Sequence, residues 1–265
     1  MTRRKALGQH FLTSRRVLER IIQVIAPRAD DLIVEVGPGR GALTFSLAER
    51  CGRLIAVEKD ASLIPRLLER KPANVEIVEQ DILRVDLAEL IGGGPGSGRT
   101  VRVVGNLPYS ISSPLLFKVL DEKALVSDCV FLLQKEVAER VAARPGSKTY
   151  APISILFQLD FEVRLHFEVA PAAFSPPPRV RSTLISLKKR ESPLFPVSDP
   201  ARWPPFLRTA FAERRKTLLN NLRKLALPAE AVKRALAALS LPENIRAEQV
   251  DIGRLVELFK ILRPS

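Results

Sequence analysis

The stretch VEVGPGRGALT, Val34 to Thr44, passes from an apolar strand through a glycine turn into the start of a helix within eleven residues. Branched valines suit extended backbone, and Gly37 and Gly39 let the chain turn tightly while leaving the space above it clear. The strand begins two residues earlier, as LIVEVG (Leu32 to Gly37), and the helix continues as GALTFSLAER (Gly41 to Arg50). The same alternation extends outward. RLIAVE (Arg53 to Glu58) is strand-like and ASLIPRLLER (Ala61 to Arg70) is helical. VEIVEQD (Val75 to Asp81), VRVVGN (Val101 to Asn106) and CVFLLQ (Cys129 to Gln134) are further strands. Near-continuous apolar runs separated by helices belong to a parallel sheet covered on both faces, because a strand with one wet face would alternate. The expected fold class is α/β, a Rossmann-like doubly wound domain.

The flanks read differently. Leu18, Ile21, Ile22 and Ile25 make one apolar helical face near the N-terminus, with Thr13 or Ser14 as its N-cap. After Lys188 a proline-rich connector, SPLFPVSDPARWPP, gives way to helical periodicity. Leu207, Phe211, Leu218, Leu222 and Leu225 lie along one face, Val232, Leu236 and Leu239 along a second, and Leu255, Leu258, Phe259 and Leu262 along a third. The expected boundaries are residues 1–190 for the α/β domain, with 1–28 as an arm and helix, and 191–265 for a small helical domain. GGPGSGRT (Gly93 to Thr100) nearly spells a phosphate-binding loop, with Arg99 where lysine belongs. Its glycines follow a helical segment and lead into a strand, the reverse of the order that aims amides at phosphate.

Of the 265 residues, 46% are hydrophobic, which supports a real core. Apolar runs are too short to span a bilayer and MTRRKALGQHFL lacks an apolar signal segment, so a cytoplasmic location is expected. Cys51 and Cys129 form no CxxC and only two histidines accompany them, which argues against a zinc site and fits a reducing compartment. No metal is expected, and nothing demands more than a monomer. Charge is more informative. Lys and Arg number 42 against 29 Asp and Glu, a net +13, of which residues 188–265 carry +8. At the other end Arg3, Arg4, Lys5, Arg15, Arg16 and Arg20 oppose only Glu19. Clustered basic surplus points to a polyanionic partner, nucleic acid above all.

The strand ends carry the chemistry. Gly37, Gly39 and Ala42 fit the dinucleotide fingerprint, and Glu58 can hold both hydroxyls of a ribose, so a hydride-transferring dehydrogenase is compatible with these alone. Asp81 ends the third strand, where a carboxylate would accept from an adenine amino group. The fourth strand ends in Asn106-Leu107-Pro108-Tyr109, which hydride transfer does not require. Methyl transfer to an amine does. An exocyclic amine on adenine is a poor nucleophile because its lone pair is delocalised into the ring. Two acceptors beside its hydrogens, the Asn106 side-chain oxygen and a main-chain carbonyl at Leu107 or Pro108, would localise that pair, with Pro108 fixing the backbone. Tyr109 would stack on a base swung out of its helix. S-adenosylmethionine carries an activated methyl group, so in-line placement substitutes for a strong base.

Over nearly its full length the chain resembles the small-subunit ribosomal RNA adenine-N6,N6-dimethyltransferase family. The resemblance rests on KALGQHFL (Lys5 to Leu12), EVGPGRGALT, the acids Glu58 and Asp81, NLPYSISSP, LQKEVAERVAARPGSKTY (Leu133 to Tyr150), FSPPPRVRS (Phe174 to Ser182) and FAERRKTLLNNL (Phe211 to Leu222). It implies that His10 and Leu12 close over S-adenosylmethionine, Gly37 and Gly39 lie beneath it, Glu58 holds its ribose and Asp81 its adenine. Asn106 would stand between cofactor and target amine, with Leu107, Pro108, Tyr109 and Phe174 around the base. Arg214, Arg215 and Lys216, on the first helix of the small domain, would meet RNA phosphates, as would Lys5. The implied partner is 16S rRNA in the small ribosomal subunit. His10 departs from the asparagine common at that position. Two alternatives share the layout: a large-subunit rRNA adenine methyltransferase of the antibiotic-resistance type, and a non-catalytic ribosome-assembly or transcription factor. FSPPPRVRS and the AERRKTLLNNL segment favour the first reading over the large-subunit type, and the intact Asn106, Tyr109 and both acids argue against the non-catalytic one.

Overall fold

A computed structural model describes residues 9–94, 100–225 and 227–262. Two compact units divide them: residues through Ala138 together with Glu162–Lys189, and Glu139–Phe161 together with residues from Arg190 onward.

The chain opens with β1 (Phe11–Leu12), α1 (Arg15–Ile25), β2 (Leu32–Val36), α2 (Ala42–Ala48), β3 (Arg53–Glu58), α3 (Ile64–Arg70) and β4 (Val75–Glu79). It continues through α4 (Leu87–Ile91), β5 (Val101–Asn106), α5 (Ser112–Asp121), β6 (Val126–Gln134), α6 (Lys135–Val141) and α7 (Pro152–Asp160). Then come β7 (Phe161–Val169), β8 (Phe174–Ser175) and β9 (Ser182–Lys189), followed by α8 (Trp203–Ala210), α9 (Leu218–Leu222), α10 (Ala229–Ala238) and α11 (Ile252–Leu262).

In the first unit seven strands form one sheet in the order β4-β3-β2-β5-β6-β9-β7. The five expected strands are parallel: Val34 lies opposite Ile55 of β3 and Val103 of β5. β6 is longer than its apolar run suggested, starting at Val126. Both faces are covered. Ile33, Leu54, Val104, Val130, Leu132 and Leu184 pack with Ile21, Ile22 and Ile25 of α1 and with Leu43 and Leu47 of α2. Their alternates Val34, Ile55, Val103, Phe131 and Ile185 are at most 2% exposed. Ser14 caps α1, its hydroxyl accepting from the Val17 N–H at 3.4 Å.

Sequence periodicity missed four strands of this unit, β1, β7, β8 and β9. β9 runs antiparallel to β6, with Cys129 opposite Leu187 and Leu132 opposite Leu184. β7 closes the edge, and its middle residues Arg164, Leu165 and His166 are exposed, so it lacks the apolar signature of a buried strand. β8 pairs antiparallel with β1, bringing the arm against Phe174.

The helical unit has its own core. Trp203, Phe206 and Phe259 pack ring to ring at centroid separations of 5.1–5.7 Å. Leu218, Leu222, Val232, Leu236, Leu255 and Leu258, all from the expected faces, are fully buried around them. This unit extends beyond residues 191–265 because Tyr150, Ile155 and Leu159 insert into the same core, which carries Glu139–Phe161 with it.

Candidate active site

The site lies past the carboxyl ends of β2, β3 and β5. Gly37, Gly39 and Gly41 all have positive φ, at 65°, 60° and 82°. That conformation costs a side-chain-bearing residue about 1–2 kcal/mol, so this turn needs glycine. The Gly39 N–H donates to Glu58 Oε2 at 3.0 Å, and the Asp60 N–H donates to Glu58 Oε1 at 2.8 Å. Glu58 is 4% exposed. Burial pushes its carboxyl above the usual range, and the amide bonds from Asp60 and Gly39 oppose that shift. A carboxylate accepts up to about four hydrogens, so capacity remains for a vicinal diol.

β5 delivers Asn106 to the cavity wall. Asn106 Nδ2 donates to the His10 carbonyl at 2.9 Å, which leaves Oδ1 to accept. The Pro108 carbonyl already accepts from the Ile111 N–H at 3.1 Å and from Ser112 Oγ at 3.3 Å. The Tyr109 hydroxyl is 3.1 Å from Ser182 Oγ, and burial pushes its pKa up while that contact opposes the shift.

One cavity is lined by His10, Leu12, Gly37, Gly39 and Glu58 together with Asn106, Leu107, Pro108, Tyr109 and Phe174. These are the residues expected for a nucleoside and a flat base. Asp81 is not among its lining residues. Its carboxylate accepts from the Leu83 N–H at 3.1 Å and from Lys59 Nζ at 2.7 Å. Burial raises the Asp81 pKa, but Lys59 and the Leu83 amide outweigh it and hold the carboxyl below its ordinary value.

The basic triplet is exposed, but it is not on a helix. α8 ends at Ala210, and Arg214, Arg215 and Lys216 occupy the turn before α9. The Asn221 carboxamide holds that turn, donating to the Ala210 carbonyl at 2.8 Å and to the Glu213 carbonyl at 3.2 Å. Thr217 caps α9, accepting from the Asn220 N–H. Glu213 is paired with Lys224, so the triplet's own charges are left facing a concave surface that they line with Glu213. Lys5 lies outside the described residues.

Sequence reasoning missed Glu35, which lines the cavity at 2% exposure. Its Oε2 is buried without a well-formed hydrogen bond, and the Thr44 hydroxyl beside it is the nearby group that can donate to the carboxyl. Desolvation pushes the Glu35 pKa up to about 8; Thr44 offsets part of this and the Glu58 charge adds to it. An acid inside an apolar strand was the available signal. Ser182 and Lys59 were also missed, and nothing in their local sequence marks them.

The family model described as ribosomal RNA adenine dimethylase matches residues 1–263. A protein of Xylella fastidiosa named ribosomal RNA small subunit methyltransferase A is 43% identical over 257 residues, covering 96% of this chain and 94% of its own. A protein of the same name from Geobacter metallireducens is 43% identical over 263 residues, covering 98% and 95%. Among solved structures, a dimethyladenosine transferase from Plasmodium falciparum superposes with a TM-score of 0.77 at 24% identity, covering 95% of this chain and 96% of that one. The 23S rRNA methyltransferase ErmE gives 0.71, also at 24%, covering 96% and 99%. The two structures share the fold, and the 43% identical relatives with the full-length family match go further: this chain belongs to the ribosomal RNA adenine dimethylase family.

Proposed function

We propose that the protein transfers methyl groups from S-adenosylmethionine to the N6 amines of two adjacent adenosines in 16S rRNA, two methyl groups to each amine, during assembly of the small subunit in the cytoplasm. The observation that carries this reading is the Asn106 carboxamide, tied by its Nδ2–H to the arm and free to accept through Oδ1, in the same cavity as the glycine turn and Glu58. The name shared by the 43% identical relatives supports the small-subunit substrate over the large-subunit one. Among the described residues no helix is long and apolar enough to cross a membrane, and no group of three or more His, Cys, Asp or Glu could hold a metal ion.

The residues present fit the cofactor: the buried Glu58 carboxylate would accept from the ribose, Gly37 and Gly39 would leave room for it in the turn, and Leu12 would cover it. When bound, S-adenosylmethionine supplies an electrophilic methyl group. The chain's own residues prepare the amine. With the Pro108 carbonyl already accepting twice, Asn106 Oδ1 and the Leu107 carbonyl take the two N6 hydrogens and turn the nitrogen lone pair out of conjugation. Tyr109 and Phe174 hold the extruded base against its tendency to restack. As the nitrogen gains a methyl group it sheds one hydrogen as a proton, which these acceptors guide to water. The monomethyl amine keeps one hydrogen, so a single acceptor suffices for the second transfer.

The test is incubation of purified protein and labelled cofactor with immature small subunits and with large subunits, followed by mass spectrometry of each RNA. Dimethyladenosine in small-subunit RNA alone is expected. Label confined to large-subunit RNA would reverse the substrate assignment.

A further inference from the structure

His10 stands where the arm meets the walls of the base site. Its carbonyl accepts the Asn106 Nδ2–H, and its ring lies 5.4 Å from the Tyr109 ring at 39°. Its Nδ1 is 2.7 Å from the Pro176 carbonyl. A carbonyl only accepts, so Nδ1 carries the proton in this contact. The following residues pair across the ribbon, Phe11 with Ser175 and Leu12 with Phe174. The residue expected to cover the nucleoside and the residue expected to wall the base therefore sit opposite each other on one two-stranded ribbon. Strands of two residues make too few bonds to hold by themselves, so each side-chain tie across the ribbon counts. Thr13 supplies one at its far end, its N–H and Oγ1 both donating to the Ala173 carbonyl. His10 supplies the other, at the end facing Asn106.

Resting on the function proposed above, we propose that His10 is a positioning residue: its imidazole latches the arm to the strand bearing Phe174, so that closing over the nucleoside and setting Asn106 and Tyr109 for the adenine are one event. The arm is then more than a lid. Cofactor occupancy is transmitted to the base wall through the Pro176 carbonyl, and from the His10 carbonyl to the carboxamide that must accept from N6.

The experiment compares the full-length protein with His10→Ala and His10→Asn, using S-adenosylhomocysteine as the probe. Amide hydrogen exchange of the segment around Phe174 and Ser175 is followed with and without probe, beside calorimetric affinity and single-turnover methyl transfer. In the parent, probe binding should slow exchange in that segment. At saturating probe, set from the calorimetric affinity of each protein, His10→Ala should lose most of the slowing. Its transfer rate should fall about three- to tenfold, the range one neutral hydrogen bond supports, with an unchanged KM for RNA. His10→Asn, whose amide N–H can donate to the same carbonyl, should recover both. Parent-like exchange in His10→Ala at saturating probe, or no recovery in His10→Asn, overturns the latch. Failure of the parent to bind the probe removes the functional reading, and the latch with it.

Discussion

Replacing Glu35 by glutamine should stabilise the protein at neutral pH, by an amount that grows as pH rises. Glu35 is 2% exposed and its Oε2 lacks a well-formed hydrogen bond, so burial opposes ionisation and the folded carboxyl keeps its proton up to about pH 8. Once unfolded, it releases that proton near its ordinary value of 4.5. Between these limits the folded state holds a proton that the unfolded state lacks, so stability falls with rising pH. The favourable contribution of the neutral form is complete below pH 4.5 and lost above pH 8. Each pH unit in the window costs about 1.4 kcal/mol, hence about 3 kcal/mol at pH 7 and under about 1 kcal/mol at pH 5. The carboxamide of Glu35→Gln has no proton to lose, so the variant escapes this penalty while keeping the shape. Glu58 on β3 faces the same pocket and sees a neutral group in either protein below about pH 8. Urea unfolding followed by circular dichroism at pH 5, 6, 7 and 8, without cofactor, measures the difference. A gap that does not widen with pH, or a parent more stable than the variant at pH 7, refutes the reasoning.

Asn106→Ala should abolish methyl transfer, at least about a hundredfold, while RNA affinity in a filter-binding assay stays within about threefold, because Oδ1 acts on the amine rather than on the RNA backbone. Equal loss of RNA binding would remove that role. Changing Arg214, Arg215 and Lys216 together to alanine should flatten the logarithmic salt dependence of RNA binding by about 2, at roughly 0.7–0.9 for each phosphate left unneutralised. An unaltered slope places the phosphate contacts elsewhere. Gly39→Ala should weaken binding of S-adenosylhomocysteine about tenfold in calorimetry. Its φ of 60° disfavours any side chain, and the new Cβ would sit 3.0 Å from two ring carbons of Phe11 in the arm. Unchanged affinity would show that the arm gives way freely.

What could be read from the residues, and what could not, divides by range. β2, β3, β5 and β6 are largely buried on both faces, so composition alone exposes them, and their order places Glu58 and Asn106 at strand ends. β7 shows an exposed middle, and β9 returns antiparallel after α6 and α7, a topology that no local period encodes. The triplet at 214–216 continued an apolar spacing that looked helical, whereas the Asn221 carboxamide breaks the helix by binding carbonyls 8 and 11 positions earlier. The bonds that make the cavity a working site span longer gaps still: Tyr109 to Ser182 across 73 positions, Asn106 to His10 across 96, and His10 to Pro176 across 166. A residue type at a strand end can announce that an amide is needed there. Which way that amide points is decided by the arm, because an unrestrained carboxamide is free to offer its nitrogen where an oxygen is required. Asn106 was therefore nameable from the chain alone, while its orientation, on which the chemistry turns, depends on the arm residue just before the separate β1–β8 ribbon and a proline that lies just past β8.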